Sequence, residues 1–121
     1  MFTISVQTCF WASHRVSLPD GTTEALHSHN WSVTADVAAE KLDDNGMVMD
    51  FCQLKKLLDD IVASFRNGPI EQLEYFVRNG QSAEIVAKYI YENLRPKLPG
   101  GLTLRQIEVA EQPFCRAKFS L

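Results

Sequence analysis

Across residues 2 to 14 apolar and polar positions alternate, and the alternation returns where Trp31, Val33, Ala35 and Val37 interleave with Ser32, Thr34 and Asp36. A period of two belongs to a strand with one buried face, so two long strands are expected. Asp43-Asp44-Asn45-Gly46 then reads as a turn, and Met47-Val48-Met49-Asp50 as an extended hairpin partner. The period changes after that. Phe51, Leu54, Leu57, Leu58, Ile61, Val62 and Phe65 recur at steps of three and four, which predicts a helix over residues 51 to 65 with this stripe, Phe51 included, in the core. Asn67-Gly68-Pro69 stops it. A second stripe follows in Ile85, Val86, Tyr89, Ile90 and Leu94, with Ser82 placed to cap the helix and Glu84 favourable to its dipole.

The segment from Pro96 to Gly101 ends that helix, and two strands close the chain at residues 103 to 111 and 114 to 121, with Pro113 between them. The last strand is expected to turn Cys115, Ala117, Phe119 and Leu121 inward and Arg116, Lys118 and Ser120 outward. The order strand, strand, helix, helix, strand, strand is an α+β pattern, a four-stranded antiparallel sheet with two helices on one face. Such a sheet leaves two edges, which proteins commonly cover with another copy, so an oligomer is expected.

Composition narrows the function classes. At 121 residues, 45% hydrophobic and 22% charged, with no repeat or linker tract, the chain fits one domain spanning residues 1 to 121. Twelve basic against fifteen acidic residues give a net charge of -3, and no basic cluster marks a nucleic-acid or lipid surface. No apolar run reaches membrane-spanning length and the start of the chain lacks a leader pattern, so a cytoplasmic location is expected. Cys9, Cys52 and Cys115 are odd in number and widely spaced in apolar surroundings, which favours buried free thiols over disulfides.

The chemistry concentrates in three histidines. His27 and His29 flank Ser28 at the start of the second strand and so present both imidazoles on one face. His14 ends the first strand, and a loop across residues 15 to 26, containing the turn-like Pro19-Asp20-Gly21, joins the two. Antiparallel neighbours joined this way bring the end of one strand beside the start of the next. Three neutral imidazoles leave a fourth coordination position open, the arrangement of a catalytic rather than a structural zinc site, so Zn2+ is the expected cofactor.

Phe10-x-Ala12-x-His14, Leu26-His27-x-His29-Asn30, Gly46-x-Val48-x-Asp50-Phe51-x-x-Leu54-Lys55, Ser82-x-Glu84-x-x-Ala87 and the late Glu111 occur in order and span nearly the whole chain. Together they resemble the 6-pyruvoyltetrahydropterin synthase and 6-carboxytetrahydropterin synthase family. The resemblance implies the tunnelling fold, whose ββααββ subunits pair edge to edge into an oligomeric barrel, usually a homohexamer built as a dimer of trimers with sites between subunits. It also implies His14, His27 and His29 as zinc ligands, and Glu111 as the carboxylate that anchors the pterin ring, with Ser82 also at the substrate. A carboxylate suits that task because it accepts two parallel hydrogen bonds from the 2-amino group and the adjacent ring N–H. A solvated strand-end carboxylate is the alternative for Glu111.

The departures are equally specific. Where the family carries a catalytic Cys four residues before the first His of His-x-His, this chain has Thr23, whose neutral hydroxyl is a poor base. The family's Asp-His pair has no counterpart in Asn67-Gly68-Pro69-Ile70-Glu71-Gln72-Leu73. Ser28, Ser82 and Gln112 stand in place of the usual Gly, Thr and Thr. Glu24, next to Thr23, forms Glu-x-x-His-x-His, which is similar to a bacterial paralogue group in which a Glu beside or in place of the Cys supports aldolase-like cleavage. Burial raises the pKa of such a carboxylate and a nearby cation lowers it, and a loop carboxylate with no catalytic part is the competing reading. Cys9 has the wrong strand parity to replace the missing thiol.

The expectation is a zinc-dependent lyase, cleaving carbon-oxygen or carbon-carbon bonds in the position-6 side chain of dihydroneopterin or its triphosphate. Two alternatives stay open: a zinc- and pterin-binding paralogue without catalysis, and an enzyme for another purine-derived substrate.

Overall fold

In a computed structural model describing all 121 residues, the chain forms two long strands, three helices and two further strands. Strands β1 (Phe2–His14) and β2 (His27–Ala39) run antiparallel over their full length, from Phe2 opposite Ala39 to His14 opposite His27. β3 (Thr103–Gln112) pairs with the other edge of β2, and β4 (Cys115–Phe119) with β3, giving the sheet order β1-β2-β3-β4. The predicted four-stranded antiparallel sheet is therefore present.

Alternation decides which face is covered. Val6, Phe10 and Ala12 of β1, Trp31, Val33, Ala35 and Val37 of β2, and Ile107 and Val109 of β3 are buried on one face. They pack with Leu54, Leu58, Ile61 and Val62 of helix α1 (Phe51–Val62) and Val86, Ala87, Ile90 and Leu94 of helix α3 (Ala83–Leu94). Both caps work through side chains: Asp50 accepts from the Cys52 N–H, and Ser82 from the Ile85 N–H, satisfying donors that the first helical turn leaves free.

Several expectations are corrected. Residues 47 to 50 form no strand, because β1 and β3 already occupy both edges of β2. Instead the Asp43 carboxylate accepts from the Asn45 and Met47 N–H groups, folding a tight loop that delivers Asp50 as the cap of α1. α1 ends at Val62 rather than residue 65, where Ser64 and Phe65 donate to carbonyls three residues back and tighten the last turn, yet Phe65 stays buried. Phe51, at the open end of the helix, is 58% exposed and takes no part in the core.

A helix the pattern did not predict, α2 (Glu74–Asn79), follows a single 3₁₀ turn at Ile70–Gln72 and buries Phe76. The last strand is shorter than residues 114 to 121. Ala117 and Phe119 are half-buried, with Phe119 against Tyr91, whereas Cys115 and Leu121 are exposed, since an edge strand at the margin of the helical layer has little above it. All three cysteines are free and exposed, not buried. Cys9 lies on the uncovered sheet face, Cys52 in the first turn of α1, and Cys115 on β4.

Candidate metal and substrate site

The register of the first two strands builds the cluster. His14 lies opposite His27 and Ala12 opposite His29, so two steps of one strand and the end of the other place three imidazoles on the buried face. Their ring centroids stand 4.6 Å (His14–His27), 5.4 Å (His14–His29) and 4.8 Å (His27–His29) apart. Beneath them is Trp31, fully buried, its ring 4.8 Å from that of His14 and its N–H donated to the Ala12 carbonyl at 3.0 Å. Trp31 shares the parity of His27 and His29, so the floor of the site was available from the same two-residue period.

Hydrogen bonds orient two of the rings. His14 Nδ1 meets the Gln81 carbonyl and His27 Nδ1 the Ala25 carbonyl, each at 2.8 Å. Their Nε2 atoms are thereby turned inward, and one nitrogen from each of the three residues falls in a group whose members all lie within 4.8 Å of one another. The Nε2 atoms of His14 and His29 are buried without any hydrogen-bond partner. Unpartnered buried nitrogens are costly unless a ligand takes their lone pairs, and three convergent imidazoles, two of them with a carbonyl-supported Nδ1–H group, fit a divalent ion. Burial holds the His29 pKa below the usual imidazole value, against the raising effect of Glu111, while His14 and His27 lower it further. The neutral form favoured by that shift is the one that binds metal.

Two carboxylates flank the cluster. Glu111 occupies a bulge, the extra residue between the Ala110–Arg116 and Gln112–Cys115 pairs, and its oxygens lie 3.6 Å from His14 Nε2 and 3.7 Å from His29 Nε2. Glu24, in the loop between β1 and β2, lies 3.7 Å from His27 Nε2. It is firmly held: its side chain accepts from the Val16 N–H and its own N–H donates to the Val16 carbonyl, each at 3.0 Å. Both line a cavity of about 580 Å³ together with the three histidines, Ser82, Ala83 and Glu84 at the start of α3, and Cys115 to Lys118 of β4. Thr23 instead lines a separate cavity with Arg15, Ser17 and Gln81.

All the residues predicted for the site thus meet at one place. The family model for 6-pyruvoyl tetrahydropterin synthase matches residues 3–120. The chain belongs to that family. It is 34% identical over 110 residues to a putative 6-carboxy-5,6,7,8-tetrahydropterin synthase of Archaeoglobus fulgidus, covering 89% of this chain and 86% of the relative. It is 30% identical over 108 residues to a dihydroneopterin monophosphate aldolase of Pyrococcus furiosus, covering 89% and 88%. The fold matches the 6-pyruvoyl tetrahydropterin synthase structure from Caenorhabditis elegans with a TM-score of 0.84, over 99% of this chain and 95% of that one at 21% identity. By name, these relatives are a pterin synthase and a pterin aldolase. No helix is long and apolar enough to cross a membrane.

Sequence patterning missed the supporting residues Gln81, Glu71 and Arg15, and the position of Cys115 on the cavity wall. A main-chain carbonyl that orients an imidazole leaves no side-chain signature, and Cys115 enters through the β3–β4 hairpin geometry.

Proposed function

We propose that the chain is a zinc-dependent pterin lyase acting on the position-6 side chain of dihydroneopterin or one of its phosphate esters, working as one domain in a cytoplasmic homo-oligomer, a dimer of trimers. The observation that carries this reading is the convergence of the His14, His27 and His29 nitrogens in a cavity lined also by Glu24, beside His27, and Glu111, beside His14 and His29. The similarity to an aldolase of the same family supports carbon-carbon cleavage in particular.

His14, His27 and His29 would hold Zn2+, which would supply Lewis acidity toward side-chain hydroxyls of the substrate. Glu111 accepts hydrogen bonds from the 2-amino group and ring N–H, and Ser82 with the start of α3 forms the adjoining wall. Glu24 takes the proton of a side-chain hydroxyl. The neighbouring carbon-carbon bond then breaks with its electrons drawn into the ring, an aldehyde leaves, and the proton returns to the carbon remaining on the ring. This assigns proton transfer to Glu24, which faces the cavity, rather than to Thr23, which does not.

The test is incubation of metal-quantified protein with 7,8-dihydroneopterin and its phosphate esters, with products separated chromatographically. Aldehyde and a shortened pterin are expected from wild type, a loss of about 10²–10⁴-fold from Glu24→Gln, and loss of both metal and product from His27→Ala. Unaltered turnover in Glu24→Gln removes Glu24 from the mechanism. Tight pterin binding with no product on any of these substrates refutes the lyase and leaves a binding paralogue, the reading favoured by Thr23 and by the absence of an imidazole across residues 67 to 73.

A further inference from the structure

A closed set of polar contacts ties the end of β1 to the segment before α3, and the reaction above makes no use of it. The Gln81 carbonyl receives His14 Nδ1 at 2.8 Å. The Gln81 side-chain oxygen accepts from the Arg15 main-chain N–H at 3.0 Å, and its nitrogen donates to Glu71 Oε2 at 3.0 Å. The other Glu71 oxygen accepts from Arg15 Nη2 at 2.6 Å, closing the ring of contacts. Glu71 is accordingly held below the usual carboxylate pKa by the hydrogen bonds from Arg15 and Gln81. Both polar ends of the Gln81 amide are therefore engaged.

His14 depends on this arrangement more than His27 does. The acceptor for His27 lies two residues away in its own loop, whereas that for His14 comes from a distant segment. That segment is the single residue between two caps: Gly80, which ends α2 with φ 100° and donates its N–H to the Phe76 carbonyl, and Ser82, which caps α3. Between those caps the Gln81 side chain adds the direct tie to β1, through the Arg15 N–H, and to Glu71, so it helps hold the carbonyl that faces His14.

We propose that Gln81 and Glu71 are positioning residues for the metal centre, with Arg15 completing a clamp that fixes the tautomer and rotation of His14 and couples it to the start of α3 on the same cavity wall. The imidazole Nε2 presents its lone pair inward only while Nδ1–H has an acceptor in the right direction. Because Gln81 directly precedes the capping Ser82, one clamp sets both a metal ligand and the wall against which the substrate rests. This inference rests on the reading of His14, His27 and His29 as metal ligands.

The experiment measures Zn2+ affinity by competition with a chromophoric chelator and the visible spectrum of the Co2+-substituted protein, for wild type, Glu71→Ala, Gln81→Ala and the double variant. Each single variant is expected to lose about 10–100-fold in affinity and to alter the Co2+ spectrum, with the double variant no worse than the weaker single one, since both act through one carbonyl. Glu74→Ala, which breaks an exposed pair with Arg78, serves as the control and leaves both readings unchanged. Affinities within about twofold of wild type, or losses that multiply in the double variant, overturn the proposal. A fall in the stability of the metal-free protein with affinity and spectrum intact also overturns it, since the contacts are then structural alone. Wild type that takes up no ion refutes the metal reading and this inference together, whereas wild type that binds while the variants match it refutes the inference alone.

Discussion

Replacing Trp31 by Phe tests whether the floor of the histidine cluster is a structural support. Trp31 is fully buried, and its N–H is the donor to the Ala12 carbonyl. Phenylalanine keeps an aromatic ring but removes that donor, and the loss of one buried hydrogen bond costs about 0.5–1.5 kcal/mol. The void left by the second indole ring, at about 24 cal/mol per Å³, adds about 1 kcal/mol. The sum of about 1.5–2.5 kcal/mol corresponds to a fall of about 1 M in the urea midpoint for a domain of this size, with the slope unchanged. The assay is urea unfolding of metal-free protein at fixed concentration, because bound metal or subunit association adds its own stabilisation. Trp11→Phe is the matched comparison: Trp11 has the opposite strand parity, is 57% exposed, and should lose far less. A loss below about 1 kcal/mol for Trp31→Phe, or equal losses for the two variants, refutes the reasoning.

Acid should unfold the protein through its held carboxylates. Glu71 lies below its ordinary value of 4.5 through Arg15 and Gln81, and Asp59 lies below 3.8 because hydrogen bonds from Thr8 and Lys55 outweigh the raising effect of burial. The unfolded chain then binds more protons around those values, so stability is full above them and falls as pH drops through the folded-state values. Urea midpoints measured from about pH 6 to pH 3 should fall, and Glu71→Ala should flatten part of that fall; a flat wild-type profile contradicts it. All three thiols are exposed, so a thiol reagent should titrate Cys9, Cys52 and Cys115 without denaturant. Thiols that react only after unfolding contradict the placement.

The two long strands, the helices near residues 51 and 83, the Ser82 cap and the convergence of His14 with His27 and His29 were legible in the sequence. Each depends on a local period or on the short connection between neighbouring strands, and local geometry is carried by adjacent residues. Position along that pattern does not say what lies above it. Phe51 fits the stripe of α1 but projects past the core, and Met47 to Asp50 alternate without finding a free strand edge. Both outcomes belong to the tertiary arrangement.

The same division runs through the site. Residue types and spacing were enough to bring out the three histidines as a group that could hold a metal, because an imidazole pair two residues apart on a strand has only one shared face, whereas Glu24 and Glu111 followed from the family resemblance. What only the tertiary structure decided is how those groups are aimed. The Glu111 bulge, the Gln81 carbonyl behind His14, and the turn of the loop that sends Glu24 into the cavity and Thr23 into another each depend on contacts between distant segments. Such contacts form only when several elements pack at once, and no period in the chain records them.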